Sequence, residues 1–372
     1  MTINTNLKPF KRSSRIFFLL TFFLTLLLSV SGGFHFDKVE AQTTGFSVKG
    51  TQIFDPEQKS FIPLGANLVG WNYYGWDTEA QSTLQDVDKV EKVWNFNIIR
   101  ASAGLKEQVW EGRTYSTKTW QNNRQEALSA LDKIVDTYTK RKIVVMLEAH
   151  DWTCEFPKGN DINLLKDFWF TLAKRYNNNP YVWFNLLNEP GFTPGRVEPE
   201  WITTHQQLIK TIRTDAKANN IIVVDGTQCG QDAGIWGTES IPEQNSAILS
   251  HGKELKQFDG KVFPNIVFSL HMYDQWGYQG QRMDSKLSDY LDRVHAKGHA
   301  ILIGEVGDRG QGDTNHRETT GTAFRVAPQK GVGILAWHFQ PKDGFSLVKD
   351  RNAEPSPSNL TPGFGQYFWD AR

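Results

Sequence analysis

Cysteine is nearly absent. Cys154 and Cys229 are the only two in 372 residues. There is no CxxC pair and no HExxH motif, so the usual zinc spacings are missing and no metal is expected. An excess of charge of one sign is missing too. The chain carries 41 basic and 41 acidic residues, which argues against nucleic acid or an anionic surface as its main partner. No strand-like run ends in GxGxxG, so no phosphate-bearing cofactor, and indeed no cofactor at all, is expected. Beyond residue 30 no apolar run is long enough to span a bilayer.

The one long apolar run, Ile16 to Val30, follows Lys8, Lys11, Arg12 and Arg15. A basic start and a 15-residue apolar core match a secretory signal peptide. Val39-Glu40-Ala41 offers small residues for cleavage after Ala41. Residues 1–41 are therefore set apart from the fold, and 42–372 are expected to form one catalytic domain. A secreted, periplasmic or cell-envelope location follows as an expectation; the alternative is an uncleaved membrane anchor. Export permits a disulfide, and closing so long a loop is worth ~4–5 kcal/mol in the chain-entropy model. Paired and free thiols stay equally open.

Aromatic residues are plentiful, with 13 Trp and 24 Phe. Most will fill a core. A sugar-binding cleft needs only a few, because the apolar faces of pyranose rings stack on Trp and Tyr.

The stretch Tyr181 to Gly191, YVWFNLLNEPG, organises the rest. A mostly apolar, aromatic run reads as a buried strand that Pro-Gly must stop. It carries Glu189 at its end. Apolar surroundings raise the pKa of such a carboxyl and suit it to donate a proton near neutral pH. An ordinary Asn-Pro-Gly turn is the bland alternative.

Along the chain, alternating runs flank Asp55-Pro56-Glu57-Gln58 and predict a hairpin. Strands are then expected at 61–68, 97–101, 142–150, in the stretch from Tyr181, and at 221–225, 266–272, 300–305 and 333–337. Helices are expected at 77–94, 122–140, 164–176, 201–218, around 241–255, and at 283–296. A weak helix at 322–329 and a closing helix at 363–371 complete the order. Eight apolar strands alternating with helices predict an α/β fold, a single (β/α)8 barrel with an N-terminal β-hairpin. A doubly wound open sheet is the alternative, with no phosphate-cradling loop to support it.

In such a barrel, side chains at the C-terminal strand ends face one site. Those ends carry Arg100, Glu148 and His150, Asn188 and Glu189, His271 and Tyr273, Glu305, and Trp337. Each alone reads as structural; together they do not. Two carboxylates facing across a cleft are what glycoside hydrolysis requires, ~5–5.5 Å apart in a retaining enzyme. Tyr273 and Arg100 near Glu305 would keep that carboxylate ionised. Asn188 suits a sugar 2-hydroxyl, and Trp337 a sugar platform. Glu148 reads as a buried supporting acid, with Asp225 and Asp274 as weaker competitors.

Arg100, His150, Asn188, Glu189, His271, Tyr273, Glu305 and Trp337, in this order, resemble the active-site pattern of glycoside hydrolase family 5. The resemblance runs from Gly45 to Trp337. It implies a retaining (β/α)8 cellulase or mannanase with Glu189 as acid/base, Glu305 as nucleophile, a polysaccharide or oligosaccharide substrate and no obligate protein partner. VVMLEAHD at 144–151, FSLHMYDQWG at 268–277 and GILAWHFQ at 333–340 are similar to bacterial β-mannanases. The chain departs from them after His150 (Asp-Trp-Thr-Cys-Glu), at Val69–Gly75, and at strand eight, where Trp337-His338-Phe339 replaces Trp-x-Trp. Mannan is thus favoured and β-glucan stays open. Trp71 to Trp76 would add platforms or core. The competing classes are a non-catalytic carbohydrate-binding barrel, which need not keep both glutamates, and a metal-dependent amidohydrolase, for which the histidines are too scattered.

Overall fold

A computed structural model describes residues 45–68, 83–110, 113–115, 119–233, 238–277, 280–307, 314–339, 345–350 and 353–372. The expected leader and the Trp71–Trp76 segment lie outside these.

Eight parallel strands close into a barrel: β3 (Leu64–Leu68), β4 (Ile98–Ala103), β7 (Val144–Ala149), β8 (Val182–Asn185), β9 (Ile222–Asp225), β12 (Ile266–Met272), β13 (Ala300–Val306) and β14 (Gly333–Ala336). They neighbour one another in chain order, and β14 returns to pair with β3. The helices α1 (Arg124–Thr139), α2 (Asp161–Tyr176), α3 (Pro199–Lys210), α4 (Ala247–Lys256), α5 (Asp284–Ala296), α6 (Thr314–Val326) and α7 (Phe364–Ala371) alternate with or follow the strands. This is the expected (β/α)8 order.

The strands are buried on both faces, so they read as continuous apolar runs. Their two faces nevertheless differ. Outward residues such as Ile99, Val145, Leu147, Phe184, Val224 and Phe268 join the large core under the helices. Inward residues Ile98, Val144, Met146, Trp183, Val223, Val267, Leu302 and Leu335 form a separate cluster inside the barrel. Continuing the same two-residue period upward gives Ile98 then Arg100, Met146 then Glu148, Trp183 then Asn185, and Val223 then Asp225. The lower barrel is thus apolar and the upper barrel polar.

A small hairpin, β1 (Ser47–Lys49) and β2 (Gln52–Phe54), joins this inner cluster through Phe46 and Ile53. Phe46 meets Phe61, Tyr181 and Trp183 edge to face. Burying that ring is worth about 1.5–3 kcal/mol. The turn of this hairpin is Gly50-Thr51, with Gly50 at φ +63°, not Asp55-Pro56-Glu57-Gln58 as expected. The latter does reverse the chain, in a second and longer turn with an antiparallel bridge from Phe54 to Ser60. Lys49, Gly50 and Thr51 are polar or small enough to hide a tight turn inside what reads as one alternating run.

The expected weak helix at 322–329 is instead α6, beginning at Thr314. Four threonines and Gly321 blur its helical period. At Gly321 a Cβ would come within 2.6 Å of the Arg325 guanidinium and 2.9 Å of the Tyr367 hydroxyl, both ends of flexible side chains that would have to shift. Two short hairpins, β5–β6 (Gln108–Trp110, Arg113–Tyr115) and β10–β11 (Gln257–Phe258, Lys261–Val262), were not expected from the sequence.

Candidate active site

Arg100 is the centre of the polar end. It sits within β4, not at its end as the sequence suggested, and is fully buried. A buried guanidinium needs every donor satisfied. Its Nε donates to Asn185 Oδ1 at 2.7 Å and its Nη1 to Asn67 Oδ1 at 2.9 Å. Nη1 also donates to Glu305 Oε1 at 2.5 Å, and Nη2 to Asn188 Oδ1 at 2.7 Å. Asp225 Oδ2 lies 3.4 Å and Glu148 Oε1 3.6 Å from Nη2. Strand register sets this up: Asn67 is opposite Arg100, and Glu148 is opposite Asn185.

Glu305 reaches the site through an irregularity in β13. Simple alternation from Ala300 and Leu302 would turn Gly304 inward and Glu305 outward. The register with β12 instead shifts between Leu270 and His271, so that Glu305 lies opposite His271. A bulge of this kind re-aims one side chain. Gly304 permits it, since a Cβ would lie 2.2 Å from Ser269 Oγ. Glu305 Oε2 then accepts from the Tyr273 hydroxyl at 2.7 Å.

Glu189 lies four residues past the end of β8, in the left-handed region at φ +46°. A non-glycine residue is held there only by its surroundings. Its N–H donates to Asp225 Oδ2 at 3.2 Å, and its carbonyl accepts from Cys154 N–H at 2.8 Å. Its Oε1 is 2.9 Å from His271 Nδ1. Trp201 Nε1 donates to the Asp225 carbonyl and Trp169 Nε1 to that of Leu186, so two buried indoles brace the strands beneath.

The electrostatics separate the two glutamates. Burial pushes Glu189 well above the carboxylate range, and the neighbouring Glu305 and Asp225 charges push it further. Burial also raises Glu305, to about 7, but Arg100, His150 and the Tyr273 hydroxyl pull against it. The pair titrates together, and the proton stays longer on Glu189. Burial, Arg100 and His150 hold His271 well below its usual range, hence neutral. Burial alone would lower His150, yet Glu148 and Glu305 outweigh it and raise it. His150 Nδ1 is 2.7 Å from Glu148 Oε1, which supports the reading of Glu148 as a buried supporting acid.

The cleft above these groups encloses 460 Å3 and is lined by His150, Thr153, Asn188, Glu189, Tyr273, Glu305, Trp337, Phe345 and the half-cystines Cys154 and Cys229, among others. The Trp337 ring lies parallel to His150, 5.5 Å between centroids. All eight expected site residues therefore converge on the top of the barrel. Asn67, Asn185 and Thr153 are additional members, and Asp225 is promoted from weak competitor. Asn67 and Asn185 interrupt apolar strand runs, a signal that reading only the strand ends misses. Asn188 already donates to Thr153 Oγ1 at 2.9 Å while accepting from Arg100. The open question of the cysteines is answered: Cys154 and Cys229 form a disulfide.

Glu189, His271 and Glu305 offer one donor atom each, all within 4.8 Å of one another, a spacing that a divalent cation also accepts. The hydrogen bonds just described engage these atoms without one. A larger, open hollow of 990 Å3 lies between α5 and α6, among ion pairs such as Asp284–Arg325 and Lys330–Asp292, and neither glutamate lines it.

The family model "Cellulase (glycosyl hydrolase family 5)" matches residues 40–343. The chain belongs to glycosyl hydrolase family 5 and is a glycoside hydrolase. It is 23% identical over 303 residues to a mannan endo-1,4-beta-mannosidase of Salipaludibacillus agaradhaerens, covering 80% of this chain and 82% of that protein. It is 22% identical over 286 residues to endoglucanase Z of Dickeya dadantii, covering 75% of this chain but only 56% of that protein. Among solved structures, the catalytic domain of a Thermobifida fusca endoglucanase superposes with a TM-score of 0.64 at 17% identity, covering 88% of this chain and 97% of that one. A Streptomyces thermolilacinus β-mannanase with mannohexaose gives 0.63 at 18%, covering 88% and 96%. These neighbours have the same fold.

Proposed function

We propose that the protein is a secreted, retaining endo-β-1,4-glycanase that cleaves internal bonds of a mannan or a cellulose-like β-glucan. The observation that carries this is the Glu189–Glu305 pair. One oxygen of each lies within 4.8 Å of the other, and their environments divide the labour. Retaining glycosidases keep their two carboxyls ~5–5.5 Å apart, too close for a water to be activated between carboxyl and sugar as inversion requires.

In this reading Glu305 attacks the anomeric carbon while Glu189 gives its proton to the departing glycosidic oxygen. A covalent glycosyl-enzyme forms on Glu305. Glu189, now ionised, takes a proton from water, which attacks the same carbon and releases the sugar with its configuration kept. Arg100 and Tyr273 hold Glu305 as an oriented anion. Neutral His271 contacts the Glu189 carboxyl without adding a charge that would strip its proton. Trp337 and Phe345 supply apolar faces for sugar rings.

The motif wording and the mannosidase relative favour mannan. Export is supported by the basic start and the apolar run of residues 16–30. The test is release of reducing ends by residues 42–372 from glucomannan, galactomannan, carboxymethylcellulose, mixed-linkage glucan and xylan. Activity on one or more of the first four, lost in Glu189→Gln and Glu305→Gln, is expected. A folded protein silent on all of them would overturn the reading.

A further inference from the structure

The cystine sits beside Glu189, not in the scaffold. Cys154 follows β7 and Cys229 follows β9, so the bond links the two loops that flank the loop after β8. Each half-cystine also holds that middle loop through its own backbone. Cys154 N–H donates to the Glu189 carbonyl at 2.8 Å, and Cys229 N–H donates to the Gly191 carbonyl at 2.8 Å. The carbonyls on either side of Pro190 are therefore gripped by the two ends of one covalent link. Gly191 N–H completes the clasp, donating to the Glu155 carbonyl at 3.3 Å.

The same link reaches the imidazole that touches the Glu189 carboxyl. Gly230, next to Cys229, packs its backbone against the His271 ring at φ +73°, where a Cβ would lie 2.8 Å from Cγ and Nδ1. Its carbonyl accepts from His271 N–H at 2.9 Å. So the disulfide ties the backbone of Glu189 and the partner of its carboxyl into one unit. Glu189 needs such support, because its left-handed backbone is unfavourable for a residue with a Cβ.

We propose that the Cys154–Cys229 cystine is a positioning element for proton transfer by Glu189: it holds the carboxyl in line with the departing oxygen, a role distinct from tying the fold together. The inference rests on the reading of Glu189 as acid/base. A merely structural cross-link restricts the unfolded chain wherever it lies and leaves the chemistry of the folded site alone. A positioning cross-link affects only steps that need the proton.

The test compares two substrates on one preparation of the Cys154→Ala/Cys229→Ala protein. One is an unmodified β-1,4-oligosaccharide, whose leaving oxygen must be protonated. The other is a dinitrophenyl β-glycoside, whose phenolate departs without a proton. The ratio of their kcat/KM values is independent of the folded fraction. The expected result is a roughly 10- to 100-fold loss on the oligosaccharide, the scale of a small misplacement of a reacting group. The dinitrophenyl glycoside should stay within about twofold of the native protein, since acid catalysis adds little there. If the variant does not fold, the same ratio is read on native protein reduced with dithiothreitol, which gives two electrons and two protons to the S–S bond and itself closes to a cyclic disulfide. An unchanged ratio overturns the proposal and leaves the acid/base reading intact. A native protein inactive on both substrates overturns both.

Discussion

Replacing Tyr273 with Phe removes a hydroxyl from Glu305 and leaves the ring in place. That hydroxyl donates to Oε2 at 2.7 Å, and Arg100 already occupies Oε1. A hydrogen bond to a charged group is worth about 1.5–3 kcal/mol, and 1.36 kcal/mol corresponds to roughly one pKa unit. The ring borders an open cleft, so solvent trims the effect and about one unit is the working figure. The sign follows from which form is stabilised. The hydroxyl favours the carboxylate, so its loss raises the Glu305 pKa further above the ordinary range. Glu305 must be ionised to attack, so the acid limb of kcat/KM against pH should move upward by about one unit while the alkaline limb, set by Glu189, holds. Below the acid limb the variant should be about tenfold slower at a given pH. The assay is a pH profile on one oligosaccharide, with circular dichroism to confirm folding. An acid limb that stays put, with a uniform drop in rate, would refute the idea that Tyr273 acts by stabilising the Glu305 charge.

Asp225→Asn should act chiefly on the other limb: Asp225 helps to raise Glu189 and, less, Glu305, so the alkaline limb should move down in the pH profile and the acid limb should move down by a smaller amount. Gly65→Ala should destabilise by about 3 kcal/mol or more in denaturant unfolding, because its Cβ would lie 1.9 Å from the Ile98 carbonyl across the β3–β4 pairing. Prolonged EDTA treatment should leave hydrolysis unchanged; a loss restored by added zinc would instead give Glu189, His271 and Glu305 a metal to hold.

The barrel was legible because each strand repeats one simple message, an apolar run followed by a polar group. The site was legible for the same reason, at the residues that follow those runs. What stayed hidden depends on partners far away in sequence. Asn67 and Asn185 are single polar residues within apolar runs of sequence, and only the folded structure reveals that both serve Arg100. The inward turn of Glu305 depends on a bulge at Gly304, visible only in the pairing with β12 and β14. The N-terminal half of α6 carries too many Thr and polar residues for its period to show in the sequence, whereas the helix as a whole packs against α5 and α7. The disulfide joins residues 75 apart, a distance in sequence that says nothing about distance in space.

In the proposed mechanism Glu305 forms the covalent bond to sugar. This step is tested most directly by incubating the protein with a 2-deoxy-2-fluoro dinitrophenyl glycoside, digesting it and mapping the labelled peptide by mass spectrometry. The fluorine slows both steps, while the activated leaving group lets the first proceed, so the intermediate accumulates. One added glycosyl group is expected, on Glu305, and none in Glu305→Gln. A label on Glu189, or none on a protein that still hydrolyses its polymer with inversion, would contradict it.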